Sequence, residues 1–505
     1  MRHKVKMAAA LVLMTSMIAA CSSGSGSTKE NASANPSPSA AATQGPPTDL
    51  SMIVQSHTAF PQKTDWIIYQ ELGKLTNTNL KPSAYQGNWW EAIPLVIASG
   101  NMPDLMWISG TDNLHKYGGE GAFVNLLDHM DKMPNMKAWI AKNQFEYKNL
   151  LSADGKLFMN PTKGGYGNYD GLWLHREDIF KKHNLAVPTT YDELYTTMVK
   201  LKELYPDSYP LYAPSWGIMN QIALSFGSAN AFYINSKTNK WTYGPSEDSY
   251  RKGVEFLAKA YKEKLIPQEF GNVTNAKRDE LITGDKTFIY FGYINQIDSF
   301  NNLARPKNAN FKLSHFTPPG GAGAKGYHGF EFIQMEGLAV TTTSKNKDAA
   351  FRYLDTLFTD KAQEIVSWGK EGVTYEKPGG VKKYLPAVKD TNTRSIEFGL
   401  RTAGTYALFD NTANISLFNE ETKASYEAAA KHIAPAIATV VLKKEERDSI
   451  QLKQDAIGKY VSEQISKFIL GTQPMSDWDK YITGLNQLGL SDVLKVFETA
   501  YARSK

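Results

Sequence analysis

A chain of 505 residues with 42% hydrophobic and 21% charged content is globular in composition and long enough for two or three cores. Its 56 Lys and Arg stand against 51 Asp and Glu, and setting aside Arg2, Lys4 and Lys6 leaves 53 against 51, too even a balance for a nucleic-acid binder. One cysteine excludes an internal disulfide framework, a cysteine-ligated zinc site and CxxC redox chemistry, while 10 Trp, 26 Tyr and 23 Phe (12%) supply rings both for cores and for stacking on flat ligands.

Met1 to Lys6 is basic, and Met7 to Ala20 is apolar apart from Thr15 and Ser16. As a helix that apolar run covers about 21 Å, short of a hydrocarbon core about 30 Å thick, so residues 1–20 read as a signal peptide and not as a membrane span. The single cysteine follows at once in Ile18-Ala19-Ala20-Cys21, which resembles the lipobox of bacterial lipoproteins. That resemblance implies an acylated Cys21, palmitate-type chains included, as the first mature residue; a plain secretory signal leaving a free thiol is the alternative. Several acyl chains on one residue anchor stably, since each buried CH₂ contributes roughly 0.8 kcal/mol. The expected location is the outer face of the cell membrane of a Gram-positive bacterium, with Cys21 as the sole membrane contact. Ser22 to Thr48 holds no Val, Ile, Leu, Met or aromatic residue. It reads as a disordered tether with a mean reach of roughly 30 Å.

The folded body begins near Asp49. Leu50 to Val54 reads as a first strand, and Trp66, Ile67, Tyr69, Gln70, Leu72 and Leu75 as a helix ending at Thr76. Trp90 to Ser99 is a second helix, broken by Gly100, and Asp104 to Ile108 a strand running into Ser109-Gly110-Thr111-Asp112-Asn113. Asp192 to Tyr205 carries Leu194, Met198, Leu201 and Leu204 on one helical face, and Tyr250 to Lys264 carries Val254, Leu257, Ala258 and Tyr261. Thr287 to Tyr293 and Gly337 to Val340 are strand-like. A helix from Lys347 sets Ala350, Tyr353, Leu354, Leu357 and Phe358 on one side, with Gly369 as its stop, and the chain from about residue 430 is mainly helical. Strands alternating with amphipathic helices, without a 20–50-residue repeat or a later apolar run of 18, argue an α/β fold.

Five segments carry a family likeness: Ile93 to Trp107 (IPLVIASGNMPDLMW), Gly171 to Asp178 (GLWLHRED), Val187 to Leu194 (VPTTYDEL), Phe291 to Gln296, and Gly337 to Leu357 followed by Trp368 to Glu376 (WGKEGVTYE). Their order and spacing resemble the extracellular solute-binding proteins of carbohydrate ABC importers, in particular the large oligosaccharide-binding lipoproteins common in soil bacilli. The resemblance implies the two-lobed type II periplasmic-binding-protein fold, each lobe a sheet flanked by helices, with hinge strands between. Lobe one would comprise 49–168 plus 311–375 and lobe two 169–310 plus 376–505, crossing near Gly165 to Leu172 and returning around Phe311 to Phe316. It further implies a monomeric, non-catalytic receptor without cofactor, whose partners are a carbohydrate held in the cleft and the transmembrane subunits of an ABC permease. A ligand at the carboxyl ends of strands, between lobes that hinge shut, is the usual place in open α/β sheets.

Sugar rings stack their C–H faces on aromatics, and their hydroxyls need fixed donors and acceptors. Trp368, Glu371 and Tyr375, at a Gly-rich turn past a helix, are the leading candidates for ligand contact. Tyr290 and Tyr293 alternate in facing along their strand, so Tyr293 with Asn295 is preferred. Trp216 lies in a loop before an apolar helix; Trp89 and Trp90 adjoin Asn88 at a helix start, where one would pack and one be exposed. Asp112, Asn113, Gln55 and His57 all follow strands. Tyr166, Tyr169 and Trp173 belong to the crossing segment, Trp173 more as core, and Arg176 as a structural ion pair.

Other motifs are set aside. Gly321 to Gly326 fits the letters GxGxxG but follows Pro318-Pro319 and lacks a strand-to-helix context, so it reads as a mobile loop. There is no HExxH, GxSxG or GKS/T, Asp154-Gly155 is a turn signal, and His57 has no second histidine at ligand spacing. Some alginate-binding relatives carry an EF-hand-like calcium loop after the helix matching 192–205. Here Pro206-Asp207-Ser208-Tyr209-Pro210 lacks the ligand alternation, so no metal is expected. The rival function is a lipid-anchored glycoside hydrolase or polysaccharide lyase, which needs a carboxylate pair that Glu91, Glu331, Glu336 and Glu371 could be nominated to supply. A wall-adhesion module is the third reading.

Overall fold

Leu50, Met52 and Val54 are fully buried while Ser51, Ile53 and Gln55 are half-covered, the period-two pattern of a strand with one face on a core. This strand, Thr48–Gln55, begins the first sheet of a computed structural model. The structure describes residues 45–504 apart from 58–60, 86, 165–170, 213–214, 270–272, 332–333 and 438–439, and for residues 215, 216, 275 and 504 only the backbone. The signal peptide, Cys21, nearly all of the tether, Tyr166 and Tyr169 therefore lie outside the described residues.

Thr48–Gln55 pairs in parallel with Thr78–Tyr85 on one side and Leu105–Ser109 on the other, and Glu336–Val340 closes the sheet antiparallel to Leu105–Ser109. Parallel neighbours need crossover helices, supplied by Ile67–Thr76 and Trp89–Ala98. Asn77, at φ 50°, ends the first of these in the left-handed region that asparagine tolerates, which turns the chain directly into its next strand. Asn88 caps the second, its side chain accepting from the Trp90 amide at 3.1 Å. At the opposite end of the sheet the Asp104 carboxylate gathers the Ser51 amide at 2.9 Å, the Ser51 hydroxyl at 2.6 Å and the Ser344 hydroxyl at 2.7 Å. Burial would raise its carboxyl, but these donors outweigh burial and hold it below the ordinary value.

The second sheet runs Leu211–Tyr212, Ile289–Gly292, Leu172–Arg176, Leu313–His315. Leu172–Arg176 is buried along its whole length. Its alternation divides two cores: Trp173 packs with Phe291, Phe316 and the helices of one face, Leu172 and Leu174 with Tyr212, Tyr290 and Phe300 on the other. Arg176, fully buried, meets Asp178 at 2.8 Å and Asp285 at 2.6 Å and lies 4.0 Å over the Phe311 ring. Burial opposes its charge, and the two carboxylates reverse the balance.

These layers form two lobes. Residues 50–159 and 338–413 build the first core, and 173–316 with 450–493 the second. Two segments lie apart from where the sequence places them. Tyr384, Val388, Leu400, Tyr406 and Phe409 pack in the first core, and Gly404, at φ 75°, presses onto Val54 and Leu338 where a Cβ would be 2.7 Å from Val54. The return also comes after Phe316, because Leu313–His315 hydrogen-bonds within the second sheet. Apolar residues at 311–316 signal burial but not the sheet that buries them. The Lys347 helix is two helices, Lys347–Thr356 and Asp360–Trp368, and the 27-residue helix Lys444–Leu470 leads the C-terminal helices on the second lobe.

Candidate functional site

The connections fix where a ligand can lie. Asn160 exchanges two bonds with the backbone of Leu338 and Lys163 is bonded to Ala407 and Phe409, so the chain leaves the first lobe after Lys163 and enters the second sheet at Leu172. It returns from Leu313–His315 by way of Gly329–Phe330 to Glu336. Glu336 stands opposite Ser109, and Leu172 opposite Gly292. The joined ends are therefore the carboxyl ends of Thr48–Gln55, Thr78–Tyr85 and Leu105–Ser109 and those of Leu211–Tyr212 and Ile289–Gly292. A cleft between strand carboxyl ends is the site such sheets offer.

On the first wall Gln55 lies beside Tyr85 at the strand ends, with His57 exposed just beyond. Asp112, exposed, and Asn113, half-buried, sit in the first turn of the helix Thr111–Gly119. Successive residues on a helix point about 100° apart. Trp89 accordingly turns inward, 2% exposed and 5.9 Å from the Trp107 ring, while Trp90 is 49% exposed. On the second wall Tyr290 is buried and Tyr293 is 42% exposed. Gln296 fixes that turn, its Oε1 accepting from the Tyr290 hydroxyl at 2.6 Å and the Tyr293 amide at 2.7 Å. Asn295, half-buried, opens the helix Asn295–Ala304. Trp216 lies in the helix Ser215–Ser225, where its side chain is outside the described residues.

Trp368 and Tyr375 lie inside the first lobe. Trp368 is 2% exposed and donates its Nε1–H to Asp410 at 2.9 Å; Tyr375 is 1% exposed and donates to Glu364 at 2.6 Å. Burial first, then the Glu364 charge, raises the Tyr375 phenol. Burial works against the Glu364 charge, but Tyr375, Lys361 and Lys377 together bring its carboxyl down to about 2. Glu371 is exposed and pairs with Lys377 at 3.2 Å. The structure thus brings Gln55, His57, Trp90, Asp112 and Asn113 to one wall and Tyr293 and Asn295 to the other, and gives Trp89, Trp368 and Tyr375 to packing.

Sequence reasoning missed the polar groups on the crossing strands. Tyr406 donates to Glu336 Oε1 at 2.7 Å and accepts from Gln334 at 3.1 Å. His328, fully buried, meets His315 at 2.8 Å between Nε2 atoms, and Gln221 donates to its carbonyl. These histidines stand in unrelated segments, so only the topology could reveal their meeting. Of the carboxylates nominated for catalysis, Glu91 accepts from Asn88 at 2.9 Å, Glu336 is held by Tyr406 and Glu371 by Lys377. The GxGxxG loop is stitched to the second lobe: Gly320 and Gly321 donate to Thr189 and Ser225, and Gly320 accepts from Tyr191. At the loop after the helix Tyr191–Leu204, the Lys202 ammonium donates to the Ser208 carbonyl at 2.6 Å. Among the described residues no group of three or more His, Cys, Asp and Glu is arranged to hold a metal, and no helix is long and apolar enough to cross a membrane.

Residues 67–364, more than half the chain, match the bacterial extracellular solute-binding protein family. The fructooligosaccharide ABC transporter substrate-binding protein FusA of Streptococcus pneumoniae serotype 4 is 22% identical over 482 residues, 86% of each chain. The polygalacturonan/rhamnogalacturonan-binding protein YtcQ of Bacillus subtilis is 23% identical over 468 residues, 86% of this chain and 88% of its own. The crystal structure of the alginate-binding protein AlgQ2 without calcium ion shares the fold at a TM-score of 0.79 and 23% identity, covering 91% of this chain and 99% of that one. With two sheets, chain crossings between them and a cleft at their carboxyl ends, this chain belongs to the bacterial extracellular solute-binding proteins.

Proposed function

We propose that this chain captures an oligosaccharide between its two lobes and delivers it to an ABC permease, acting as a monomeric receptor and not as an enzyme. Acyl chains on Cys21 hold it at the outer face of the cell membrane. The observation that carries the reading is the pairing of an exposed ring on each wall, Trp90 and Tyr293, with polar side chains at the adjoining strand ends. Stacking rings with donors and acceptors beside them are what a sugar needs. Relatives named for fructooligosaccharide, polygalacturonan and alginate binding support the ligand class. Trp90, Asp112, Asn113, Gln55 and His57 on one wall and Tyr293, Asn295 and Trp216 on the other are the proposed contacts. The lobes are drawn as 49–163 with 336–413, and 172–316 with 420–505, following the cores.

The test is a thermal-shift screen of the mature chain against fructan, pectin and alginate oligomers, with chromatography of the mixtures. A ligand at a hundredfold excess over Kd adds about 2.7 kcal/mol of stability. A clear upward shift with one related group of sugars and no product is expected. Sustained turnover, or no shift across a broad panel, would overturn the reading.

A further inference from the structure

The return connection carries imidazoles that sugar capture leaves unused. His328 sits just before the short strand Gly329–Phe330, which pairs in parallel with Ile433–Ala434. Its amide donates to the His432 carbonyl at 2.8 Å, and three residues on, the Glu331 amide donates to Ala434 at 2.7 Å. Its Nδ1 accepts from the Trp173 amide at 3.3 Å, which leaves the ring proton on Nε2. That proton is donated to His315 Nε2 at 2.8 Å, at the end of the second sheet's edge strand. The His432 ring stands 6.2 Å from that of His328. Around this knot the His432 Nδ1, the Gln221 Oε1 and the Trp173 Nε1 are buried without a hydrogen-bond partner among the described residues. Both ring nitrogens of His328 are thus committed, so a new proton in the His315–His328 pair costs one of these bonds.

We infer that the His315–His328–His432 knot is an acid-sensitive clasp on the strands that join the lobes, and that its protonation opens the return connection. A single proton serves the contact between the two Nε2 atoms. A second proton on His315 sets two N–H groups against each other there; on His328 Nδ1 it faces the Trp173 N–H. Either way a bond that ties the return strand to the second sheet is lost.

Burial and the neighbouring imidazoles oppose the added charge. Burial, then His315 and His432, hold the His328 imidazole well below its ordinary range. Burial, then His432 and His175, bring His315 to about 4; burial with Lys325 and Lys431 lowers His432. His175, on the neighbouring strand, is itself brought to about 4 by burial, against the pull of Glu177 and Asp178 and with Lys181 adding to it. Glu331, the next carboxylate along the return strand, is exposed. The folded state keeps these rings neutral, whereas free imidazole takes a proton near pH 6.5. The clasp therefore holds fully above about pH 6.5 and weakens as pH falls toward 4.

Amide hydrogen exchange of the ligand-free mature chain at about pH 7 and about pH 4.5, corrected for intrinsic rates, tests this apart from any sugar. Protection across 313–316 and 328–331 is expected to fall about tenfold or more at the lower pH, while Leu105–Ser109 keeps its protection. In His328→Gln the amide can accept from Trp173 and donate to His315 without titrating, so the fall should shrink. His315→Gln, whose Oε1 accepts from His328, gives the same reading should the first variant not fold. Unchanged protection of both segments at pH 4.5 would overturn the clasp. So would a fall in the glutamine variants equal to that of the natural chain.

Discussion

Two aromatic clusters in this molecule look alike on paper and end in opposite surroundings. Trp368 with Tyr375, past a helix and beside a Gly-rich turn, is sealed in the first lobe with each polar atom matched by a carboxylate, Asp410 and Glu364. Trp90 and Tyr293, also at helix starts, keep nearly half their surface in the open on the two cleft walls. The contrast is set by residues outside each local segment: Asp410 and Glu364 meet the polar atoms of Trp368 and Tyr375 inside the lobe, whereas the Trp90 and Tyr293 rings keep open surface that a ligand can cover.

The contrast can be broken at either pole. The largest effect is expected from Trp368→Ala, which removes a buried ring and takes the indole donor from Asp410 Oδ2: about 3–5 kcal/mol in urea unfolding, with sugar affinity of the folded fraction unchanged. Loss of affinity without loss of stability would invert the assignment. Asp104→Ala, which strands the Ser51 and Ser344 donors, should cost about 1–3 kcal/mol and leave the cleft untouched. Trp90→Ala and Tyr293→Ala should each shift stability by no more than about 0.5 kcal/mol, yet weaken sugar binding roughly five- to tenfold by calorimetry. A normal Kd in both variants would remove them from the site. The last handle is pH. The folded Glu364 carboxyl is depressed to about 2, so its share of stability is present above about pH 4.5 and lost as pH falls toward 2. Tyr375→Phe should flatten that acid limb of the unfolding curve.

Local pattern carried the elements well. The strand at Leu50 to Val54, the helix face of Leu194, Met198 and Leu201 and the stop at Gly369 all rest on period or φ, which neighbours in sequence decide. Tyr290 and Tyr293 do part, though by the turn after Gly292 and not by strand alternation, since Phe291 is buried too, and the doublet Trp89-Trp90 split into one packed and one exposed ring. What sequence could not carry was pairing across the chain. Trp368 meets Asp410, Glu336 meets Tyr406, and His315 meets His328 and His432 only once the lobes are threaded together. The loop at 321–326 read as mobile because Gly and Pro permit it; backbone bonds to Thr189 and Ser225, invisible to composition, tie it down.

The first sheet has a consequence for the order of synthesis. Its edge strand, Glu336–Val340, is made only after an entire block belonging to the other lobe, when about two-thirds of the chain exists. Until then Leu105–Ser109 has one side unpaired and the Leu400–Phe409 cover is missing. The earliest-made lobe is thus the one that must wait, its first strands emerging long before the strand that completes their sheet.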